Sequence, residues 1–156
     1  MKSAREPDYQ SLAELRYQIR RFLHFSERAA RDAGLEPSQH QLLLALKGLP
    51  ANVRPTVGAL AERLHIRPHS AVELVNRLHH RGFVRRRRGN GGGDRRQVLL
   101  SLTAQGEKVL RALTFYHHEE LLHAGPALIE ALQAVLKEQR SRTKRMRRGT
   151  ANVLAG

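Results

Sequence analysis

Apolar residues recur at three- and four-residue steps near the start of the chain, which is the period of an amphipathic helix. Ser11 and Glu14 have the spacing of a capping box and predict the start of this helix, and Gly34 predicts its end. We therefore expect residues 11–36 to hold one long helix, after a short arm over residues 1–10. Its apolar stripe contains Leu12, Leu15, Ile19, Phe22, Ala29 and Ala33.

Three shorter helices are predicted next. Ser38 and Gln41 repeat the capping-box spacing before an apolar run over 42–46, so the second helix is expected to be buried on most sides. Thr56 is expected to cap the third helix, and Pro68 suits the first turn of the fourth. The inward residues are Leu60, Ala61 and Leu64 in the third helix and Ala71, Leu74, Val75 and Leu78 in the fourth. Two amphipathic helices joined by so short a turn ("HIRPHS") match a helix-turn-helix unit.

The hydrophobic period changes after Gly82. An extended run that ends in arginines, the glycine-rich stretch "GNGGG" and the segment "QVLLSL" together predict a β-hairpin over residues 83–102. Thr103 is then expected to cap a fifth helix that ends near His123, because Gly125 and Pro126 predict a break. The stripes are Val109, Leu110 and Leu113 in the fifth helix and Leu128, Ile129, Leu132, Val135 and Leu136 in a sixth.

These elements predict a mainly α protein with a small β-hairpin, an α+β fold. Residues 37–102 are expected to form a winged helix-turn-helix lobe, with a recognition helix at about 68–81 and a wing at about 83–102. The lobe offers little surface to cover the long stripes of helices one, five and six. We therefore interpret residues 11–36 and 103–140 as a dimerisation region, followed by a basic tail at 141–156.

The charge of the chain indicates what it binds. Lys and Arg number 28 against 14 Asp and Glu, which gives a formal net charge of +14. Such a charge predicts a polyanionic partner, with nucleic acid as the first choice and an anionic membrane surface as the second. No apolar run is long enough to cross a bilayer, and the segment "MKSAREPDYQ" lacks the apolar core of a signal peptide, so we expect a cytoplasmic protein. The chain has no Cys, which excludes disulfides and thiolate metal sites within it.

Three segments of the predicted helix-turn-helix and hairpin are distinctive, namely "TVGALAERL", "PHSAVELVNRLHHRGFV" and "DRRQVLLSLTAQG". They resemble the MarR family of bacterial transcription regulators. The last segment matches the family's Asp-x-Arg pattern running into Leu-Thr and a glycine, which is its most specific signature, and the likeness extends over roughly residues 10–140. The resemblance implies a homodimer that binds pseudo-palindromic double-stranded DNA as a regulator, here expected to be a repressor on the nucleoid of a bacterial cytoplasm. Family members commonly lose DNA affinity when a small molecule binds.

The outer face of the predicted recognition helix is the first candidate for DNA contact. With the apolar stripe turned inward, this face carries His69, Ser70, Val72, Glu73, Asn76 and Arg77. Asn76 has the groups to read adenine, and Arg77 could reach guanine or a phosphate. Arg77 could instead form an ion pair with Glu73, four residues earlier. His69 and Ser70 sit at the helix start, where free amides favour phosphate, and Thr56 completes the DNA-binding set on this side.

The resemblance places the tip of the wing in or beside the minor groove, with an arginine as the probe. This role falls on Asp94, Arg95 and Arg96, with Asp94 expected to orient Arg96. The alternative is that Asp94 and Arg96 only stabilise the hairpin. Among Arg85–Arg88, side chains alternate along the strand, so two of them, Arg86 and Arg88, are expected to face one surface and contact phosphates.

The sequence also contains candidates for an effector site. Arginine, histidine and aromatic side chains would suit an anionic aromatic molecule, and the candidates are Tyr17, Arg21, His24, His40, Tyr116 and His117. Core filling and solvated basic positions explain the same residues equally well. Glu120, His123 and their histidine neighbours are candidate ligands of a metal-responsive regulator. Histidines on a helix surface are more often simply exposed, so we predict no metal site. We also predict no cofactor.

The class of the protein and the role of the basic tail can now be considered. No motif pairs a nucleophile with a base, and the glycines lie inside a hairpin rather than at a strand–helix junction, so no enzyme is predicted. The alternative to a sequence-specific regulator is a basic nucleoid- or RNA-associated protein that uses charge alone. The basic tail could be a disordered end, an extension of the sixth helix or a source of additional DNA contacts.

Overall fold

The computed structural model describes the backbone of residues 8–88 and 97–153 and the side chains of 8–88 and 97–137. Five helices and one antiparallel hairpin follow one another in this part of the chain, so the predicted mainly α fold with a two-stranded hairpin is confirmed. The elements are α1 (Tyr9–Asp32), α2 (Pro37–Lys47), α3 (Val57–Leu64), α4 (Pro68–His80), β1 (Val84–Arg88), β2 (Val98–Leu102) and α5 (Ala104–Val153).

The start of α1 lies two residues before the predicted position. The backbone N–H of Ser11 donates to Oδ1 of Asp8 at 3.0 Å, so Asp8 rather than Ser11 caps the helix. The helix ends at Asp32, and Gly34 adopts a positive φ of 77°, a conformation that glycine reaches at no steric cost. Within the stripe, Ala29 is buried as expected, but Ala30 is buried in place of Ala33, which is exposed.

The cap of α2 also differs from the prediction. The residue before the helix is Glu36, whose N–H donates to Oε1 of Gln39 at 3.1 Å, and Pro37 occupies the first turn. The capping box therefore uses Glu36 and Gln39 instead of Ser38 and Gln41, because Pro37 already fixes a helical φ one residue earlier. The remainder of α2 is buried on most sides, although Leu44 is 43% exposed.

The helix-turn-helix forms where it was predicted. Thr56 Oγ1 accepts the N–H of Ala59 at 3.2 Å at the start of α3, and Pro68 opens α4. Between the two helices, His65 takes a left-handed φ of 52°, which reverses the chain within the short turn. The predicted inward stripes are confirmed, with Leu64 and Leu74 only partly buried.

The hairpin pairs Val84 with Leu102 at its base and Arg88 with Val98 at the last described pair. The two basal residues are buried in the core, which anchors the hairpin to the helices. The N–H of Leu100 donates to the carbonyl of Pro55 at 2.8 Å, so the connection before α3 runs beside β2.

The last helix corrects the prediction of two helices separated at Gly125 and Pro126. A single helix runs from Ala104 to Val153 with Pro126 in its interior, and it includes most of the segment predicted as a separate basic tail. A proline removes one helical N–H and crowds the residue before it. Because that residue is Gly125, which has no Cβ, the crowding is reduced and the strong helix formers on both sides continue the helix.

The chain divides into two compact units, one of residues 1–25 and 118–156 and one of residues 26–117. The second unit contains the main core, in which Leu42, Leu43, Leu60, Val75 and Leu78 are each 0% exposed. The first unit leaves much of its apolar stripe exposed in the single chain. The exposed apolar residues there are Leu12, Ile19 and Leu23 of α1 and Leu121, Leu122, Ile129, Leu132 and Leu136 of α5. Among the described residues, no helix is both long enough and apolar enough to cross a membrane.

Candidate nucleic-acid interface

One face of α4 lies open to solvent. His69, Val72, Glu73 and Arg77 are exposed, and Ser70 and Asn76 are half-buried, while the opposite face packs into the core. This is the split between outer and inner residues that the sequence predicts. In the part of the chain that the structure describes, no ion pair joins Arg77 to Glu73, so the guanidinium of Arg77 extends from this face.

The two ends of α4 differ in the hydrogen bonds that side chains make with the backbone. At the start, Arg67 precedes the helix without a side-chain cap, so its first-turn amides are not covered by that side chain. At the end, Nδ1–H of His79 donates to the carbonyl of Val84 at 2.9 Å, and Nδ1–H of His80 donates to the carbonyl of Asn76 at 2.7 Å. The first of these bonds ties the end of α4 to the beginning of β1.

Four consecutive arginines fill β1 after its buried first residue, and all four are exposed. Because side chains alternate along a strand, Arg86 and Arg88 share the face of Val84, and Arg85 and Arg87 lie on the other face. This agrees with the expectation that two of the four face one surface.

Arg86 reaches from the strand to the recognition helix. Its Nη2–H donates to Oδ1 of Asn76. The sequence places both residues in the DNA-binding set but gives no sign that they touch. The alternation of side chains along a strand could have indicated the contact, because it places Arg86 on the same face of the hairpin as the buried Val84.

The base of the hairpin is held by the residues that lead into α5. The N–H of Thr103 donates to the carbonyl of Phe83 at 3.0 Å, and Oγ1–H of Thr103 donates to the carbonyl of Gly82 at 2.6 Å. The same hydroxyl oxygen accepts the N–H of Gly106 at 3.1 Å, which confirms the predicted cap of α5. The wing, the end of α4 and the start of α5 are therefore connected at one point.

Arg81 has a structural role that the sequence does not reveal. Its guanidinium donates to Oε1 of Gln39 at 2.7 Å and to the carbonyl of Gly34 at 2.6 Å, and it lies 5.0 Å from the ring centre of Phe83. These contacts join the end of α4 to the α1–α2 connection. The sequence alone presents Arg81 as one more charge in a basic run.

Residues 89–96 lie outside the described residues, and with them the predicted glycine tip and the probe residues Asp94, Arg95 and Arg96. Their assignment to the minor groove stays a prediction.

The effector candidates fall in both units. In the unit of residues 26–117, His40 and His117 stack with ring centres 4.9 Å apart, and both are buried, while Tyr116 is 55% exposed. In the other unit, the guanidinium of Arg21 lies 6.0 Å from the ring centre of Tyr17, and His24 is exposed. Among the described residues, no group of three or more histidine and carboxylate side chains could hold a metal ion.

His40 carries a strongly perturbed acid–base equilibrium. Burial lowers the pKa of His40 from 6.5 to about 4, and the proximity of His117 lowers the pKa in the same direction. The physical cause is that a cationic ring would lose its hydration in the core. His40 is therefore a neutral packing partner of His117 near neutral pH.

The geometry described above is that of a winged helix-turn-helix protein, with an exposed recognition helix and a basic hairpin fixed to its end. A sequence profile of the MarR family matches residues 33–97, which span α2, the helix-turn-helix and β1 and end just before β2. The HTH-type transcriptional repressor MdtR of Bacillus subtilis (strain 168) is similar to this chain, with 29% identity over 124 residues that cover 72% of this chain and 77% of MdtR.

Solved structures show the same fold. AbsC, a MarR family transcriptional regulator from Streptomyces coelicolor, superposes with a TM-score of 0.65 at 20% identity and covers 92% of this chain and 97% of its own. A mutant of MepR from S. aureus, bound to an oligodeoxyribonucleotide, superposes with a TM-score of 0.56 at 20% identity and covers 88% of this chain and 99% of its own. The described part of the chain therefore has the fold of the MarR family regulators that it is similar to, and residues 33–97 match the sequence profile of that family.

Proposed function

We propose that the protein is a homodimeric repressor that binds a pseudo-palindromic DNA operator and releases it when a small molecule binds. The observation that carries the proposal is the surface formed by the exposed face of α4 and the arginines of β1, which the bond between Arg86 and Asn76 joins into one unit. A helix with one free polar face next to a basic hairpin has the form that enters the major groove of DNA.

Each part of this surface has a separate proposed task. The start of α4, with His69 and Ser70, lies against phosphate, because helix N-termini favour anions. Arg77 and Asn76 contact base edges in the major groove. The exposed Arg86 and Arg88 add affinity through phosphates, which carries no sequence information by itself.

The wing is proposed to insert Arg96 into the minor groove, with Asp94 orienting the guanidinium and Arg95 beside it. Narrow minor grooves have a strong negative potential and attract arginine. The likeness of the chain's segment "DRRQVLLSLTAQG" to the Asp-x-Arg pattern of the family supports this assignment.

The dimer is supported by the apolar surface of the unit formed by residues 1–25 and 118–156. Leu122 is 73% exposed and Ile129 is 57% exposed in the single chain. Exposed apolar residues that cluster on one unit often mark a protein interface. A second copy of the chain would cover them and would place two recognition helices on two half-sites.

Effector release is the part of the proposal that rests on the residue types alone. A small anionic aromatic molecule would act only if it bound one arrangement of the dimer more tightly than another. The test is a thermal-shift screen with aromatic carboxylic acids, in which stabilisation by at least one acid supports the idea. Stabilisation by none of them contradicts it.

DNA binding is tested with the intact protein and two duplexes of equal length at physiological salt, one from the upstream region of its own gene and one of random sequence. Specific regulators bind their operators about 10³- to 10⁷-fold more tightly than random DNA. The four exposed arginines of β1 and the net charge of +14 would also support a protein that binds any nucleic acid. Equal affinity for both duplexes would favour that second function and exclude the first. A regulator of this kind acts where the chromosome is, in the bacterial cytoplasm, and needs no catalytic activity.

A further inference from the structure

The contact between Arg86 and Asn76 fixes which atoms of the asparagine amide are available to DNA. A guanidinium group has only N–H donors, so the amide atom that faces Arg86 must be the oxygen. The amide nitrogen of Asn76, with its two N–H groups, therefore points away from Arg86. The amide oxygen and nitrogen are similar in size, but only the oxygen can accept a hydrogen bond from the guanidinium, so the chemistry of the two groups fixes the orientation.

The position of Arg86 is set by the hairpin. Its neighbour two residues earlier, Val84, is 1% exposed, and its partner across the hairpin, Leu100, is 3% exposed. Both residues anchor this face of the hairpin in the core. The side chain of Arg86 lies on the same strand face as Val84, two residues closer to the tip of the hairpin. There it contacts Asn76 of α4. The contact therefore arises from the packing of the hairpin against the helix.

We propose that the Arg86–Asn76 pair selects guanine at one position of each half-site, an inference that rests on the proposed entry of α4 into the major groove. A free asparagine is suited to adenine, because its oxygen accepts from the N6 amino group and its nitrogen donates to N7. In this protein the oxygen is bound to Arg86. The pair presents only donors, namely the amide N–H groups of Asn76 and the remaining N–H groups of the guanidinium.

Guanine is the base whose major-groove edge matches a surface of donors, because both N7 and O6 are acceptors. Adenine offers one acceptor and one amino donor. The amide oxygen of Asn76 has a second lone pair, but an adenine amino group that used it would lie beside the N–H groups of a cation. Donor would then face donor, and like partial charges would repel. The pair therefore discriminates against adenine as well as favouring guanine.

Arg86 acts here as a positioning residue, since it determines what Asn76 can read. The test is selection of binding sites from a randomised duplex library by the full-length protein and by Arg86→Met. Arg88→Met is the matched control, because Arg88 is also exposed, lies on the same face of β1 and carries the same charge. Loss of either charge lowers the salt dependence of binding by a similar amount.

The readout is the ratio of guanine to adenine at each position of the enriched site. For the unchanged protein and for Arg88→Met, one position in each half-site should prefer guanine over adenine by at least about fivefold. Arg86→Met should lose that preference and move toward adenine at the same position, and Asn76→Ala should lose it without gaining adenine. Thermal melting of each variant establishes that it is folded.

Two failures are distinguishable. If the unchanged protein enriches no motif, the proposed sequence-specific function is wrong and this inference is wrong with it. If a motif is enriched but Arg86→Met and Arg88→Met return the same base preferences, the proposed function stands and the positioning role of Arg86 is excluded.

Discussion

The imidazole rings of His40 and His117 stack with their centres 4.9 Å apart and an angle of 5° between their planes. Both rings are buried, and Nδ1–H of His117 donates to the carbonyl of Leu113 at 2.6 Å. The pair joins α2 to α5 within the unit of residues 26–117. A cationic His40 ring would lose its hydration in the core, so the contact depends on the neutral form of His40.

The first prediction is that acid destabilises the fold through His40. Its pKa is about 4 in the folded state and 6.5 as a reference, so between these values the unfolded chain binds more protons. Stability is therefore complete above about pH 6.5 and falls as the pH approaches 4, by on the order of 2–3 kcal/mol in total. Urea unfolding at several pH values between 7.5 and 4.5 measures this loss.

The matched variants are His40→Phe, which keeps an aromatic ring but cannot be protonated, and His118→Gln, which replaces an exposed histidine. His40→Phe should flatten the dependence of unfolding free energy on pH, and His118→Gln should leave it unchanged. A dependence that is the same in all three proteins would contradict the role of His40.

The second prediction separates two arginines that look alike in the sequence. Arg81→Ala removes the hydrogen bonds to Gln39 and to the carbonyl of Gly34, and we expect it to lower the free energy of unfolding by about 1–3 kcal/mol. Arg77→Ala removes an exposed side chain and should change stability by less than about 0.5 kcal/mol while weakening operator binding. Urea unfolding and DNA binding are measured on both variants. Equal losses of stability would show that Arg81 is only another surface charge.

The third prediction concerns the glycine that follows the Leu-Thr signature. A Cβ added at Gly106 would lie 2.2 Å from the carbonyl oxygen of Phe83, and this backbone atom cannot move without shifting the start of β1. Gly106→Ala should therefore cost about 2 kcal/mol or more. Gly58→Ala, whose nearest neighbour would be Oγ1 of Thr56 at 3.9 Å, should instead be neutral or stabilising by up to ~1 kcal/mol. Thermal melting should show a lower melting temperature for Gly106→Ala and no decrease for Gly58→Ala. An unchanged melting temperature of Gly106→Ala would show that Gly106 is not at a close approach.

The helices and the hairpin could be predicted because each is encoded locally. Thr56, Pro68 and Thr103 mark helix starts by their own side chains, and the change of period after Gly82 marks the strand. The continuous α5 could not be predicted, because a proline after a glycine usually indicates the end of a helix. Only the structure shows that the helix continues through Pro126, where the missing Cβ of Gly125 reduces the steric crowding.

The outer face of α4 was predictable for the same local reason, because its inner stripe has helical spacing. The contacts that give single residues their roles were not. Arg81 reaches Gln39, which is 42 positions away in sequence, and Arg86 reaches Asn76 across the boundary between a strand and a helix. Seven arginines within residues 81–96 have the same chemistry, and only their places in the fold distinguish them.

The fourth prediction compares two arginines of the wing. Arg87 is exposed on the face of β1 that does not carry Val84, so it is expected to contribute charge alone. Arg96 is proposed to enter the minor groove in an orientation set by Asp94. Arg96→Ala should therefore weaken operator binding by at least about tenfold more than Arg87→Ala at the same salt concentration, as determined by fluorescence anisotropy. Equal losses would mean that the wing is only a patch of positive charge.

Sequence-specific binding by a dimer is tested by a nuclease footprint of the full-length protein on the intergenic DNA next to its own gene. A dimer that places two α4 helices in successive major grooves should protect two related half-sites whose centres lie about 10–10.5 base pairs apart, or a multiple of that spacing. We expect such a paired footprint at protein concentrations that leave the flanking DNA accessible. Uniform protection along the whole fragment, with no repeated half-site, would contradict it.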